Sequence, residues 1–390
     1  MRILHCVESY YPSIGGMQEV VKQLSERLVK LGHSVTIATR YQEERNFKEL
    51  NGVEIVDFKI SGNTVLGIKG DKTQYEQFLL NSTFDVITFF AAQQWATDIA
   101  LPLLKQIKAK KVSVPTGYSG LYWKEYQGYF NDMKTYIQDY DMNVFLSDNY
   151  RDINFARENR VTKYCVIPNG AAEDEFLIES KIDVRKKLGI AKDSFLMLHV
   201  GSFTPFKGHQ EAVELLLKSD LKNATLLLIG NNHLQFEKQF KKNYRYFTLR
   251  VKNFFRKNKI IIGQFNRDFT VAAYKQSNLF LFPSNIECSP IVLFESAAAK
   301  LPFLCTDVGN ASEIAKWTQG GMILPTQIDK EGYSSIKMNE SISMLNELYL
   351  NKAKREEMAS KAFLNWKEKF SWEIIAKKYE SLYLSLTNSK

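Results

Sequence analysis

Residues 283–302, PSNIECSPIVLFESAAAKLP, follow an apolar strand at Leu279 to Phe282 and lead into an Ala-rich helical run. Strand, loop and helix in that order are the repeating unit of a parallel sheet covered by helices. Pro290 suits the first turn of the helix, where its missing N–H costs nothing. The backbone amides from Ser289 to Val292 are then free to meet an anion. Two glutamates, Glu287 and Glu295, flank this turn with seven residues between them. A glutamate pair on its own reads as one loop residue and one solvated helix residue. Here Ile291, Val292, Leu293, Phe294 and Ala297 to Ala299 make the helix apolar nearly all round, hence buried. A carboxylate on a buried helix needs a partner, which a ligand hydroxyl can supply. A diphosphate on the amides, one carboxylate on a neighbouring sugar and the other on a ribose is the chemistry of a nucleotide-sugar site.

Outward from this stretch, short apolar runs alternate with helical patterns along the whole chain, an α/β arrangement of parallel sheets. Strands are expected at Ile3 to Val7, Ser34 to Ala38, Val53 to Phe58, Asp85 to Phe90, Lys111 to Val114, Asn143 to Leu146 and Tyr164 to Ile167. A second series runs through Phe195 to His199, Ala224 to Ile229, Lys259 to Ile262, Leu279 to Phe282 and Phe303 to Cys305. After the first strand, Val20, Val21, Leu24, Leu28 and Leu31 share one helix face, and Gly32 can stop that helix. The charged stretch Glu173 to Ser194 separates the two series, which divides the chain into 1–175 and 176–370. Ligands in such sheets gather at the carboxyl ends of strands. Gly15 and Gly16 open the first helix, where backbone can come close to a ligand and the helix start favours negative charge. An ordinary loop reads the same way. A dinucleotide fingerprint is excluded, because no third glycine follows at the required spacing.

At 390 residues the chain is long enough for two domains with their own cores. The net charge of +9 favours an anionic partner without choosing among nucleotide, nucleic acid and membrane. Cys6, Cys165, Cys288 and Cys305 lie far apart, with neither disulfide nor metal spacing, which suits a reducing, cytoplasmic compartment. No signal peptide and no membrane span are expected, so any membrane contact is peripheral. Asp139-Tyr140-Asp141 has the form of a metal-binding Asp-x-Asp, but it follows a helical run instead of ending a strand and is read as coincidence. Neither metal nor cofactor is expected.

Further segments carry a family resemblance: MRILHCVESYYPSIGG at the start, PNGAAEDEF at Pro168 to Phe176, HVGSFTPFKGHQEAVELL at His199 to Leu216, TDVGNASEI at Thr306 to Ile314 and FSWEIIAKKYESLY at Phe370 to Tyr383. In this order, with the glutamate stretch, the chain resembles the retaining glycosyltransferases of the family 4 type (glycosyl transferases group 1). The resemblance implies the GT-B fold, two Rossmann-like domains facing each other across a cleft. It puts the acceptor on 1–175, the nucleotide-sugar donor on 176–370, and 371–390 as a helix crossing back onto the first domain. It implies transfer from a nucleotide-diphosphate sugar to a saccharide or polyprenyl-linked saccharide, as in bacterial cell-surface polysaccharide or glycolipid synthesis. Lys207 and Gly16 are then placed at the diphosphate, Glu287 at a sugar hydroxyl, Glu295 at the ribose, and Cys288, Ser289, Pro290, Ile291 and Val292 around the donor. Glu287 and Lys207 are the candidate catalytic residues.

Two positions depart from the family pattern. Ser202 stands where an arginine is usual, and a hydroxyl replaces neither its charge nor its fork. Thr116 and Gly117 stand where a histidine is usual in the first domain. These departures leave a second reading, a weakly active or non-catalytic GT-B subunit that binds another protein. Residues 236–259 carry nine basic residues and one acidic one, with Phe236, Phe240, Phe247, Val251 and Phe254 at helical spacing. The stripe is expected to pack on the sheet. The basic excess suits an anionic membrane surface, at the inner face of the cell membrane, or a polyprenyl diphosphate acceptor. No nucleic-acid-binding module accompanies it, and nucleic acid is not an expected partner.

Overall fold

The computed structural model describes residues 1–242 and 247–388, divided into two compact units. The first comprises Met1–Asn169 and the segment from Trp372 onward; the second comprises Gly170–Ser371. The division at 169/170 lies ahead of the one read from the sequence. Phe176 belongs to the second unit's core, and Glu175 is bonded to Arg267 in the same unit.

In the first unit the sheet strands are β1 (Arg2–Cys6), β2 (Ser34–Arg40), β3 (Glu49–Leu50) and β4 (Val53–Phe58); the small hairpin β5 (Ser61–Asn63) and β6 (Gly67–Lys69) stands apart. β7 (Val86–Phe90), β8 (Lys110–Val114), β9 (Met142–Phe145) and β10 (Tyr164–Val166) complete the sheet. Its order is β10-β9-β8-β7-β1-β2-β4-β3, parallel except where β3 meets β4. Winding runs from β1 outward through β2 and β4, then returns to β7 on the other side, so the direction switches between β1 and β7. Val86, Ile87, Phe89 and Phe90 are all buried, as a strand covered on both faces requires.

The helix Gly16–Lys30 buries Val20, Val21, Leu24 and Leu28, and Gly32 follows it at φ +90°. Beside it lies the last helix, Trp372–Asn388. Glu373 accepts from Arg27 Nη2 at 2.6 Å, and the fully buried Tyr383 hydroxyl lies 2.6 Å from Thr88 Oγ1.

The second unit repeats the pattern with β11 (Phe195–Val200), β12 (Ala224–Ile229), β13 (Lys259–Gly263), β14 (Leu279–Phe282), β15 (Phe303–Cys305) and β16 (Gly321–Ile323). The order β13-β12-β11-β14-β15-β16 is parallel throughout and switches between β11 and β14. A separate hairpin joins β17 (Thr326–Ile328) to β18 (Ser334–Ile336). Apolar clusters cover both faces of the sheet, one around Leu198, Phe280 and Phe294, the other around Met197, Leu216 and Leu281.

The stripe expected over Phe236 to Phe254 holds only in its first part. Phe236 and Phe240, on the helix His233–Lys242, pack against the core. A separate helix, Phe247–Phe255, turns Leu249 and Asn253 inward instead, and Asn253 Nδ2 donates to Leu217 O at 2.8 Å. Phe247 and Val251, on its opposite side, are 63% and 43% exposed. Two helices in place of one break the phase of the stripe. Arg245 and the Lys241 side chain lie outside the described residues. Among the described residues no helix is long and apolar enough to cross a membrane.

Candidate active site

At the carboxyl ends of the second unit's strands three loops converge, residues 201–208 after β11, 283–290 after β14 and 306–310 after β15. This is the switch point, where open α/β sheets collect ligands. Two glycines permit the convergence. Gly208 has φ +74°, and a Cβ there would lie 2.1 Å from Pro283 O; Gly309 has φ +54°, with its Cβ 2.1 Å from Cys288 O. Any other residue would force the loops apart. Asn285 N–H donates to Phe206 O and Asn310 N–H to Cys288 O, each at 2.9 Å. The Thr306 hydroxyl closes on Ser284 O.

Convergence puts Lys207 against Glu287, with Nζ 2.6 Å from Oε1. The Ser284 hydroxyl lies 2.9 Å from the same oxygen. A paired cation and carboxylate, both partly open to solvent, can exchange each other for a phosphate and a hydroxyl at small cost. Pro290 is the N-cap of the helix Ile291–Ala298, and Leu293 N–H closes onto Pro290 O at 3.2 Å. The amides of Ile291 and Val292 precede the first full turn of the ladder, where a helix presents donors and partial positive charge. Cys288, Ser289 and Pro290 form the turn between Glu287 and those amides.

Glu295 is 3% exposed, as the apolar helix demands. Its partner in the structure is protein: Arg267 Nη2 lies 2.6 Å from Oε1. Arg267 begins the helix Arg267–Gln276, capped by the Asn266 side chain, and also grips Glu175 through Nε at 2.9 Å and Nη2 at 2.6 Å. The partner that a buried carboxylate needs is thus present within the protein, in Arg267. Burial, with the Glu295 charge next in size, holds the Tyr274 phenol well above its usual pKa.

Beneath the 201–208 loop two histidine rings meet at 4.4 Å. His199 Nδ1–H donates to Leu281 O at 2.8 Å, and His209 Nε2–H donates to Gly201 O at 3.2 Å. Among the described residues, His209 Nδ1 is buried without a hydrogen-bond partner. Burial lowers the pKa of His199 to about 4 and of His209 to about 2, so both are neutral and rigidly oriented.

In the first unit Gly16 starts its helix at the β1/β7 switch, and no atom lies within 4 Å of where its Cβ would be. At the end of β8, Thr116, Gly117 and Tyr118 all have positive φ (57°, 108° and 47°). Asp152 accepts Gly117 N–H at 2.9 Å, and burial raises its pKa to about 6. Three consecutive left-handed residues mark a turn held against its preference. Asp139 and Asp141 pair with Lys105 at 3.6 Å and Lys111 at 3.0 Å. Among the described residues no group of His, Cys, Asp or Glu is arranged to hold a metal ion.

The structure brings Lys207 and Glu287 together, with Cys288, Ser289 and Pro290 between Glu287 and the helix that opens on Ile291 and Val292; Gly16 belongs to the other unit. Arg267, Glu175, His199, His209 and Asp152 were not foreseen. The signal that could have pointed to Arg267 is Asn266, a helix-capping residue type just before it.

Residues 180–362 match the sequence model of the family described as glycosyl transferases group 1. Over 98% of both chains, the protein is 24% identical to an uncharacterized glycosyltransferase of Methanocaldococcus jannaschii. It is 20% identical to the O-antigen chain mannosyltransferase C of Escherichia coli over the full length of each. Anabaena HepE, solved in complex with UDP, superposes with a TM-score of 0.76 at 16% identity, covering 99% of this chain and 100% of its own. The group 1 match lies inside the second unit, and the chain as a whole is a glycosyltransferase with the GT-B fold.

Proposed function

We propose that the protein is a retaining glycosyltransferase of the family 4 type, moving a sugar from a nucleotide-diphosphate donor to a hydroxyl of a saccharide or polyprenyl-linked saccharide. The observation that carries this reading is the Lys207–Glu287 pair at 2.6 Å, set between the β11 and β14 loops ahead of the Ile291 helix start. Lys207 and the amides of residues 288–292 take the diphosphate, Glu287 orients a sugar hydroxyl, and Glu295 takes the ribose. Gly16 is the residue of the first unit that we assign to the donor phosphate. The bond from the anomeric carbon to the leaving phosphate oxygen breaks as the acceptor oxygen bonds to the same face. The acceptor proton passes to the departing phosphate oxygen, so no protein nucleophile is needed. Lys207 stabilises the charge developing on that oxygen. The likeness to an O-antigen mannosyltransferase supports an acceptor of the bacterial cell surface, handled at the inner face of the cell membrane.

Thermal shift and calorimetry with UDP-, GDP- and ADP-sugars test this. One of them should raise the melting temperature, because a ligand that binds only the native state stabilises it. Lys207→Met should weaken that binding by about 1.5–3 kcal/mol, the range for hydrogen bonds to charged groups. Unchanged affinity in Lys207→Met would remove the lysine from the diphosphate site, and the lack of any stabilising nucleotide-sugar would overturn the reading.

A further inference from the structure

The helix Phe247–Phe255 has two sides of opposite character. Leu249 and Asn253 face the protein. Arg256, just beyond, is committed inward as well, bonded to Ser219 O and to Asp220 at 2.9 Å. The outward side carries Phe247, Val251, Phe254 and Phe255, the last two 77% and 79% exposed. Positions 247, 251, 254 and 255 share one helix face. Lys252 and Lys257 are exposed beside that face, and Arg250 sits with its guanidinium over the Phe240 ring, 5.4 Å from the centroid.

An aromatic ridge this exposed is costly in water unless something covers it. The cover must be anionic as well as apolar, because the flanks are cationic and Glu237 is the only acidic residue from 236 to 259. A protein groove offers apolar surface, and nucleic acid offers charge. The headgroup boundary of an anionic bilayer offers both at the right depths, with cations in the phosphate plane and phenyl rings below it.

We propose that the outward face of the helix Phe247–Phe255 seats the second unit on an anionic lipid surface, Phe254 and Phe255 entering the headgroup boundary while Lys252 and Lys257 engage lipid phosphates. This rests on the proposed lipid-linked acceptor for its purpose only, since lipid attachment is measured without any transfer reaction.

The test is sedimentation of the full chain with phosphatidylglycerol–phosphatidylcholine vesicles and with phosphatidylcholine vesicles alone. The protein should bind the first, leave the second, and be released by salt. Lys252→Gln with Lys257→Gln should weaken binding about fivefold per cation removed. Phe254→Ser with Phe255→Ser should keep the encounter at low salt but let go at lower salt than the parent chain. Phe254→Trp adds a direct readout, a blue shift of the introduced indole on phosphatidylglycerol vesicles only. All these side chains are exposed, so circular dichroism should show the fold retained. Failure to bind anionic vesicles, or equal binding by both double variants, overturns the proposal. So does a dimer in sedimentation velocity that the phenylalanine variant dissolves while vesicle binding persists. Loss of lipid binding with nucleotide-sugar binding intact would sink this inference alone.

Discussion

At the scale of single residues, the decisive arrangement is Arg267 between Glu175 and Glu295. A carboxylate 3% exposed on an apolar helix needs a charged partner, and Arg267 supplies one at 2.6 Å. Removing one partner of a buried pair costs more than the pair contributes, because the other charge is stranded. Arg267→Gln should therefore lower stability more than Glu295→Gln, as read by chemical denaturation. Glu295→Gln should leave the fold intact and weaken nucleotide binding by roughly 1–3 kcal/mol. Equal nucleotide affinity in calorimetry would take Glu295 out of the donor site. Glu287 and Glu295 were legible in the sequence because they flank one strand-loop-helix turn and share its local geometry. Arg267 and Glu175 were not, since they meet across 92 residues and neither stands out among 52 basic and 43 acidic positions.

At the scale of elements, the β11 loop stands on two neutral histidines. Their folded pKa values are depressed below the usual 6.5, to about 4 for His199 and about 2 for His209, chiefly by burial. Above pH 6.5 both states of the chain carry neutral rings and nothing is lost. Below it the unfolded chain takes up protons that the folded chain refuses, so stability falls with pH, by about 1.4 kcal/mol per pH unit for each histidine until its folded value is reached. Denaturation midpoints should drop between about pH 6.5 and pH 5, and His199→Gln should start less stable but show a shallower drop. An unchanged slope would mean that the rings are not sealed off. The principal strands were legible because strands buried on both faces are unbroken apolar runs. β3, β16 and the two hairpins were not, because each is only two or three residues long and begins with Glu, Gly, Ser or Thr, unlike the equally short but wholly apolar β15. The Phe247–Phe255 helix was misread for a different reason: spacing fixes which residues share a face, but not which way that face turns.

At the scale of the whole molecule, the first unit is discontinuous in sequence. The chain leaves it at Asn169 and returns at Trp372, and the crossing segments are bonded side by side, Ala171 N–H to Phe370 O at 3.1 Å. The returning helix completes the core, with Tyr383 Oη 2.6 Å from Thr88 Oγ1 and 3.4 Å from His5 Nε2. Tyr383→Ala should cost about 3–5 kcal/mol, the range for deleting a large buried ring. In a denaturant titration with separate transitions for the two units, that loss should fall on the first unit alone. A shift of both transitions would mean that the units unfold together. The same discontinuity sets an order of events on the ribosome. Residues 170–371 can collapse as soon as they emerge, whereas His5 on β1 meets Tyr383 only 378 positions later. A chain stopped before Trp372 would hold every residue of the second unit and leave the first unit's core open along one helix, so the fold itself registers whether that helix was made.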